Sequence, residues 1–335
     1  MLSNRLTSWL QALAKLKSSP HFRWLRPARR IVGVLVVALS LFYIGRSIGP
    51  WLAQTNWRNL SLRLDYLGAA LALFTGCSLL GSWSWYIFLA SMGYDLPLLA
   101  CSRAHATANL VKYLPGAPWQ LVGKAYLTRQ LGVPLGQVSL GMVLEMGCLV
   151  LTGVLVWLAT MTTGSAPPLL LPPWARWVLG ALTSLALGAL PWAANRWSDF
   201  AQAHDLRRIS IRFQASKLWG AYLIMVVGWV LNGVAFGFLL SALHPLAAGD
   251  WLAALHSLVI SLLVGLLVIP APAGLGVREA MITYTLKGRA SQPLSSVAAV
   301  LCRLAMVAGE VLALALIMGV SGLVALHSRS IAQKD

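Results

Sequence analysis

Charged residues are scarce in this 335-residue chain, and acidic residues are the scarcest of them. Only 10% of the residues are charged, whereas 58% are hydrophobic. A soluble domain has about a quarter of its residues charged, which keeps its surface hydrated. Most of the surface of this chain must therefore face something other than water. The composition excludes a soluble catalytic domain and predicts an all-α integral membrane protein.

The chain also lacks the residue patterns of a disulfide framework or a metal site. Its four cysteines all lie in apolar stretches, without a CxxC pair, and its six histidines form neither an HxxH nor an HExxH pair. The cysteines are typical of small apolar residues embedded in a membrane. We expect neither a metal nor a cofactor.

Basic residues are abundant and give a formal net charge of +17. Such a charge also occurs in proteins that bind nucleic acid, but here the basic residues cluster beside apolar runs. Seven precede the first long run, and five more lie between Arg196 and Lys217. This distribution is the positive-inside signature of a membrane protein, so we expect lipids rather than nucleic acid as partners.

Six apolar stretches are long enough to span a membrane, which takes about 20 residues. They cover residues 31–50, 66–93, 134–161, 175–193, 218–243 and 294–326. These spans predict one membrane domain over 31–326, between a basic tail over 1–30 and a short tail over 327–335. The helical spacing of leucines in the first tail fits an amphipathic helix on the membrane surface, and a solvated tail fits it about as well.

Two further regions are too polar for a span and too apolar for a loop. Residues 97–131 contain Leu114-Pro-Gly-Ala-Pro-Trp119, and residues 252–289 contain Ile269-Pro-Ala-Pro-Ala-Gly-Leu-Gly. Non-helical backbone at membrane depth occurs only where it is buried in protein or lines a wet cavity. Both regions are therefore predicted to be broken, re-entrant helices. A seven-span alternative, in which residues 252–269 cross fully, fits the charge distribution about as well, so the total lies between six and eight spans.

The two broken regions match each other when the sequence is shifted by 155 residues. Pro115 then falls on Pro270, and Lys124 falls on Glu279. With the full spans on either side, the two halves cover residues 66–161 and 218–326. Paired interrupted helices of this kind predict an inverted repeat with a polar site near the bilayer midplane.

The aspartates and the glutamates lie in different sequence contexts. All six aspartates lie in loops, span ends or tails, whereas Glu145, Glu279 and Glu310 lie in apolar context. A charge inside a membrane costs about 2.5–3.5 kcal/mol on insertion scales, so each glutamate is a candidate functional residue. Arg303 lies seven residues before Glu310, which is too far for a direct pair, so both need partners elsewhere.

These four residues form a predicted charge network that gates a cavity or holds a headgroup. Glu145 and Arg303 occupy nearly the same place in the last span of their respective halves. We therefore expect them to pair across the twofold axis of the repeat. A structural clamp that only holds helices together is an equally good interpretation.

The run Pro272-Ala-Gly-Leu-Gly-Val-Arg-Glu279 nearly spells a glycine-rich phosphate loop. It lacks the third glycine of GxGxxG and follows no strand, so dinucleotide binding is not expected. It still frees backbone N–H groups at the start of a short helix, whose positive end favours a phosphate. The candidate phosphate-binding residues are Lys124, Arg278, Gly274 and Gly276. A tight turn that allows close packing is the alternative.

These motifs resemble those of a known family. Leu114-Pro-Gly, a basic residue on the next short helix, Gly132 and Glu145 look like its first motif. Pro-x-Pro-Ala-Gly-Leu-Gly-Val-x-Glu, followed by Arg303, looks like its second. The family is the transmembrane region of lysylphosphatidylglycerol synthases, also called the flippase-like domain, and the likeness covers roughly residues 30–325. This chain departs from the family at Lys124 and Met146, where arginine is frequent.

The resemblance implies the stand-alone flippase-like domain, without a synthase domain. It implies a translocase of the bacterial inner membrane that moves or binds a phospholipid or polyprenyl-phosphate headgroup, rather than an enzyme. Two alternatives stay open. One is a scaffold or regulator of a separate lipid-modifying enzyme, and the other is an intramembrane lipid transferase with Glu145 or Glu310 as general base.

We predict that both termini are cytoplasmic. Outside the broken regions and Arg303, fourteen basic residues fall on that side and four on the other, as the positive-inside rule requires. Single cysteines at Asn4 and Ala332 in a cysteine-free background should resist an impermeant thiol reagent in intact cells and react after permeabilisation. Labelling of intact cells at Ala332 alone would contradict the six-span topology.

Overall fold

A computed structural model describes residues 62–113, 119–161, 172–203, 212–267, 274 and 276–332. Within these residues the chain forms nine α-helices and one short 3-10 helix, without a strand. The predicted all-α membrane fold is confirmed. The predicted span over 31–50 and the surface helix within 1–30 lie outside the described residues.

The helices are numbered in chain order. They are α1 Leu64–Ser91, α2 Leu98–Leu110 with its 3-10 continuation Val111–Tyr113, α3 Trp119–Gln130, α4 Leu135–Thr160, α5 Pro173–Ala203, α6 Ala215–Leu243, α7 Ala248–Leu267, α8 Val277–Thr285 and α9 Gln292–Ala332. Six are long and apolar enough to cross a membrane: α1, α4, α5, α6, α7 and α9. Five of these match predicted spans, and α7 is the arm that the seven-span alternative would place across the membrane.

Prolines mark the start of several helices. Pro97 and Pro134 immediately precede α2 and α4, with backbone angles in the extended region. Pro173 is the first residue of α5, and Pro293 is the second residue of α9. Proline lacks the N–H that a helix interior requires, but it fits at a helix start, where that N–H would have no partner within the helix.

Helices α1 and α6 pack against each other in opposite directions. The backbone N–H of Arg63, just before α1, donates to the carbonyl of Ala242 near the end of α6 (3.1 Å). The N–H of Gln214, just before α6, donates to the carbonyl of Ser91 at the end of α1 (2.7 Å). Gln214 follows Arg63 by 151 residues, and Ala242 follows Ser91 by the same 151 residues. The same contact is thus made twice, which supports the predicted inverted repeat.

The first broken region folds as a hairpin of two short helices, α2 and α3. They have 13 and 12 residues, which is too short to span a hydrocarbon core of about 30 Å. At the tip, Gln120 at the start of α3 donates to Asn109 near the end of α2 (2.9 Å). At the base, Cys101 of α2 shares a buried cluster with Val133, which follows α3. The chain therefore enters and leaves this hairpin at the same end.

The second broken region, α7 and α8, is a hairpin with unequal arms. At its base, Arg289 after α8 pairs with Asp250 in the first turn of α7 (2.9 Å). Val297 near the start of α9 shares a buried cluster with Ala254 of α7. Helix α7 has 20 residues, enough to cross, yet α9 begins at the end where α7 begins. These contacts favour the re-entrant interpretation over the seven-span alternative.

The bases of the two hairpins lie at opposite ends of the α1–α6 pair. The first base is packed with Leu89 at the end of α1, and the second is packed with Leu240 at the end of α6. Since α1 and α6 are antiparallel, the tips point toward each other. Tyr113 of the first tip and Arg278 of the second line one small cavity.

The packing of α9 on α1 predicts which glycine of α9 cannot be replaced by alanine without loss of stability. A Cβ at Gly309 would lie 2.9 Å from the backbone carbon of Phe74 and 2.9 Å from the backbone nitrogen of Thr75, whereas a Cβ at Gly319 would meet open space. Overpacking costs about 1–3 kcal/mol, so Gly309→Ala should lower the melting temperature of the purified protein in detergent.

Gly319→Ala is the matched control for this change, since it lies on the same helix. It should keep or slightly raise the melting temperature, because alanine is the better helix former. Equal melting temperatures for the two variants would contradict the close packing of α1 on α9.

Candidate functional site

Seven charged side chains form a cluster between the hairpins and the helices that pack behind them. The cations are Lys112, Lys124, Arg278 and Arg303, and the carboxylates are Glu145, Glu279 and Glu310. All six of the charged residues predicted from the sequence belong to this cluster. Lys112 is the additional member.

The first ion pair joins α3 to α4 within the first half. The Lys124 Nζ donates to the Glu145 carboxylate, and Lys124 is buried, with a residue exposure of 6%. Its Nζ also lies 3.6 Å from the centre of the Trp85 ring, which is fully buried. The negative face of the ring adds to the attraction of the carboxylate, so the lysine is held on two sides.

The second ion pair joins α8 to α9 within the second half. Arg303 donates to Glu279 over 2.9 Å. Under the 155-residue shift Glu279 corresponds to Lys124. Arg303 lies ten residues after Pro293, nearly the place of Glu145, which lies eleven residues after Pro134. The two pairs are therefore equivalent contacts with their charges exchanged.

The predicted Glu145–Arg303 pair is wrong. Equivalent positions of an inverted repeat lie behind different hairpins, and each residue pairs with the hairpin arm next to it in its own half. The Glu279 carboxylate accepts from Arg303, which lies in the same half. The expectation that Arg303 and Glu310 have partners elsewhere is confirmed.

The third ion pair links the two halves. The Lys112 Nζ, at the tip of the first hairpin, donates to the Glu310 carboxylate of α9 and to the Asn109 Oδ1 (3.3 Å). Glu310 is buried, with a residue exposure of 8%. Sequence reasoning missed Lys112 as a site residue, although a lysine three residues before the Pro115-Gly116 break was a usable signal.

Arg278 has no carboxylate partner among the residues that the structure describes. Its side chain lies across Gly265 and Gly274: a Cβ at Gly265 would be 2.5 Å from the Arg278 Nε, and one at Gly274 would be 2.8 Å from it. The Nε atom is buried and forms no hydrogen bond within the described part of the chain. Because the other six charges form three pairs, the cluster keeps one positive charge, which is on Arg278.

The turn before α8 places this arginine. Gly274 and Gly276 have φ angles of +69° and +79°, a region that a side chain disfavours. Gly276 caps the start of α8, two residues before Arg278. Gly274 is buried beneath the arginine, so its predicted role in binding phosphate is better described as making room for the guanidinium.

A cavity of about 290 Å³ opens between the first hairpin and the helices of both halves. Its polar lining includes Asn109, Lys112, Gln120, Lys124, Glu145 and Arg278. Its apolar lining includes Leu121, Met142, Met146, Leu149, Leu266 and Trp229. His105 also lines the cavity. The corresponding space in the second half, beside Glu279 and Arg303, is about 20 Å³.

A family model described as the lysylphosphatidylglycerol synthase TM region matches residues 30–313. The chain belongs to this family. The match confirms the resemblance inferred from the two motifs, and it extends over both hairpins and the whole charge cluster. Membership makes the chain a multi-pass membrane protein linked to lipid metabolism or translocation. No curated protein matches the chain.

We predict that Lys124 and Glu145 are coupled energetically. Removing one partner of a buried pair costs about 3–5 kcal/mol because it leaves an uncompensated charge, whereas removing both costs much less. Lys124→Met and Glu145→Met should each lower the melting temperature in detergent strongly, and the double variant should recover much of the loss.

Two controls accompany this double-mutant cycle. Asp199 forms an exposed pair with Arg212 (3.1 Å), so Asp199→Asn should have little effect. Glu145→Met and Arg303→Met should be closer to additive than the true pair. Strict additivity for Lys124 and Glu145 would contradict the pair seen in the structure.

Proposed function

We propose that this protein is a lipid translocase of the bacterial inner membrane, which moves or binds a phospholipid or polyprenyl-phosphate headgroup. The observation that carries the proposal is the cavity of about 290 Å³, whose lining combines Arg278, which has no carboxylate partner among the described residues, with apolar side chains such as Leu121 and Met142. A lipid headgroup with the start of its acyl chains has the same division into a charged and an apolar part. The proposal includes a cytoplasmic N-terminus and a cytoplasmic C-terminus.

Arg278 is the principal phosphate ligand in this proposal. A guanidinium has a planar fork of N–H donors that matches two phosphate oxygens, and here it is positioned by Gly265 and Gly274. Lys124 and Lys112 lie in the same wall. Their charges are offset by Glu145 and Glu310, so they act as donors close to the phosphate rather than as free cations.

The ion pairs hold the hairpins in place, and a ligand that breaks a pair would free a hairpin to move. Lys124–Glu145 and Glu279–Arg303 each tie the second arm of a hairpin to the helix that follows it, and Lys112–Glu310 ties a tip to the opposite half. A phosphate that approaches Lys112 competes with Glu310 for the same ammonium. Binding can therefore loosen the link between the halves, which is the gating role expected of Glu145, Glu279, Arg303 and Glu310.

Transport fits the site better than an intramembrane transferase. A general base needs a carboxylate able to accept a proton from the substrate. Glu145 and Glu310, the two candidate bases, are each engaged in an ion pair with a lysine, so neither carboxylate faces the cavity without a partner. A scaffold for a separate lipid-modifying enzyme would not require the uncompensated arginine in the cavity wall.

We predict that Arg278→Gln slows translocation of a fluorescent anionic phospholipid in reconstituted vesicles. Loss of charge-assisted hydrogen bonds worth about 1.5–3 kcal/mol corresponds to a rate about 10- to 100-fold lower. Arg278→Lys should retain part of the activity, because an ammonium keeps the charge without the planar fork.

Arg289→Gln is the control, since Arg289 pairs with Asp250 at the hairpin base, away from the cavity. It should translocate lipid normally. Unchanged translocation by Arg278→Gln, at normal expression and melting temperature, would overturn the transport site and favour the scaffold alternative.

A further inference from the structure

The charges around the cavity specify which headgroup it accepts. Among the described residues, its lining contains the cations Lys112, Lys124 and Arg278 and the carboxylate Glu145. That carboxylate already accepts from Lys124, and Lys112 is neutralised by Glu310 from behind the wall. The remaining charge is the single positive charge of Arg278, in surroundings where an uncompensated charge is costly.

We propose that the site selects a lipid headgroup with one net negative charge, a phosphodiester whose remainder is neutral and hydroxyl-bearing, and that it rejects aminoacylated cationic headgroups. This inference rests on the proposed function for the place of binding. The inference goes beyond the proposed function because it names the substrate class. This class differs from the lysyl-lipid in the description of the family.

The neutral polar groups of the wall fit such a headgroup. The Asn109 Oδ1 already accepts hydrogen bonds from Lys112 (3.3 Å) and from Gln120 (2.9 Å). The Asn109 NH2 group and the Gln120 carbonyl oxygen are then the parts of these amides available to a ligand. One donates and the other accepts, which is what a hydroxyl group requires.

Size and charge both oppose a lysylated headgroup. A cavity of about 290 Å³ is at the small end of ligand sites, which span about 300–1,000 Å³. A lysyl ester adds two ammonium groups to the one phosphate, so the headgroup has a net charge of +1. Within the described part of the chain, no carboxylate in the cavity wall lacks a cationic partner, so these ammonium groups would face Lys112, Lys124 and Arg278 without compensation.

Binding of short-chain lipids to the purified full-length protein in detergent tests the selectivity. The probes are dihexanoyl phosphatidylglycerol (net −1), dihexanoyl phosphatidylcholine (net 0) and dihexanoyl lysylphosphatidylglycerol (net +1). Trp229 lines the cavity, so tryptophan fluorescence and the melting temperature report occupancy. We expect phosphatidylglycerol to bind about tenfold or more tightly than phosphatidylcholine and lysylphosphatidylglycerol to bind most weakly. Equal or tighter binding of the lysylated lipid would overturn the proposal.

Two variants test whether the cavity causes the preference. Arg278→Gln should abolish the preference for phosphatidylglycerol over phosphatidylcholine. Met146→Glu adds a carboxylate to the wall while Arg278 stays, and should shift the preference toward phosphatidylcholine, with Met146→Gln as its uncharged control. If both folded variants keep the wild-type preference, the selectivity does not come from this site and the proposal fails.

A further experiment, with a water-soluble ligand, distinguishes this inference from the proposed function. Glycerophosphoglycerol carries the same phosphodiester without acyl chains. Binding about tenfold or more weakly than the lipid is expected, because the apolar wall of the cavity then has no partner. Equal affinity would support the charge selectivity but contradict the lipid function. Translocation of phosphatidylcholine and the lysylated lipid, but not phosphatidylglycerol, in vesicles would contradict the selectivity and leave the lipid function standing.

Discussion

A charge in the hydrocarbon region has to be compensated by the protein itself, because no water is there to do so. This constraint shapes the centre of the molecule more than any packing contact. Lys124 is held by Glu145 and the Trp85 ring, and Glu279 is held by Arg303. Each pair fixes a hairpin arm against a full-length helix. Within the described part of the chain, Arg278 is the member of the cluster that has no carboxylate partner.

The two halves share a backbone plan but differ in their chemistry. Reciprocal hydrogen bonds at both ends of α1 and α6 show how closely the backbones correspond. The charges at equivalent positions are nevertheless exchanged, and Lys112–Glu310 joins the halves without a counterpart among the described pairs. The spaces beside the equivalent pairs also differ, at about 290 Å³ and about 20 Å³. Of these two equivalent spaces in an approximately symmetric fold, only the first approaches the size of a ligand site.

Sequence reasoning could predict five spans that the structure describes, the positions of the two broken regions and six members of the charge cluster, because apolar length, proline and glycine, and buried charge are local signals. It could not predict which charges pair. Glu145 was assigned to Arg303 by symmetry, whereas the partner is set by which hairpin arm lies nearest in space. Helix α7 was ambiguous for a similar reason: 20 apolar residues satisfy both a span and a long hairpin arm, and only the Asp250–Arg289 contact at the base distinguishes them.

The two hairpins also differ in how they would respond to a membrane potential. Residues 97–131 contain four basic and no acidic residues, whereas residues 248–285 contain Arg278 with Asp250 and Glu279. Moving one elementary charge through the full field is worth about 2.3 kcal/mol per 100 mV. A displacement of the first hairpin along the membrane normal would carry its four positive charges through part of that field, whereas the second would carry a net charge of −1. An energised membrane therefore acts more strongly on the first hairpin and in the opposite sense on the second.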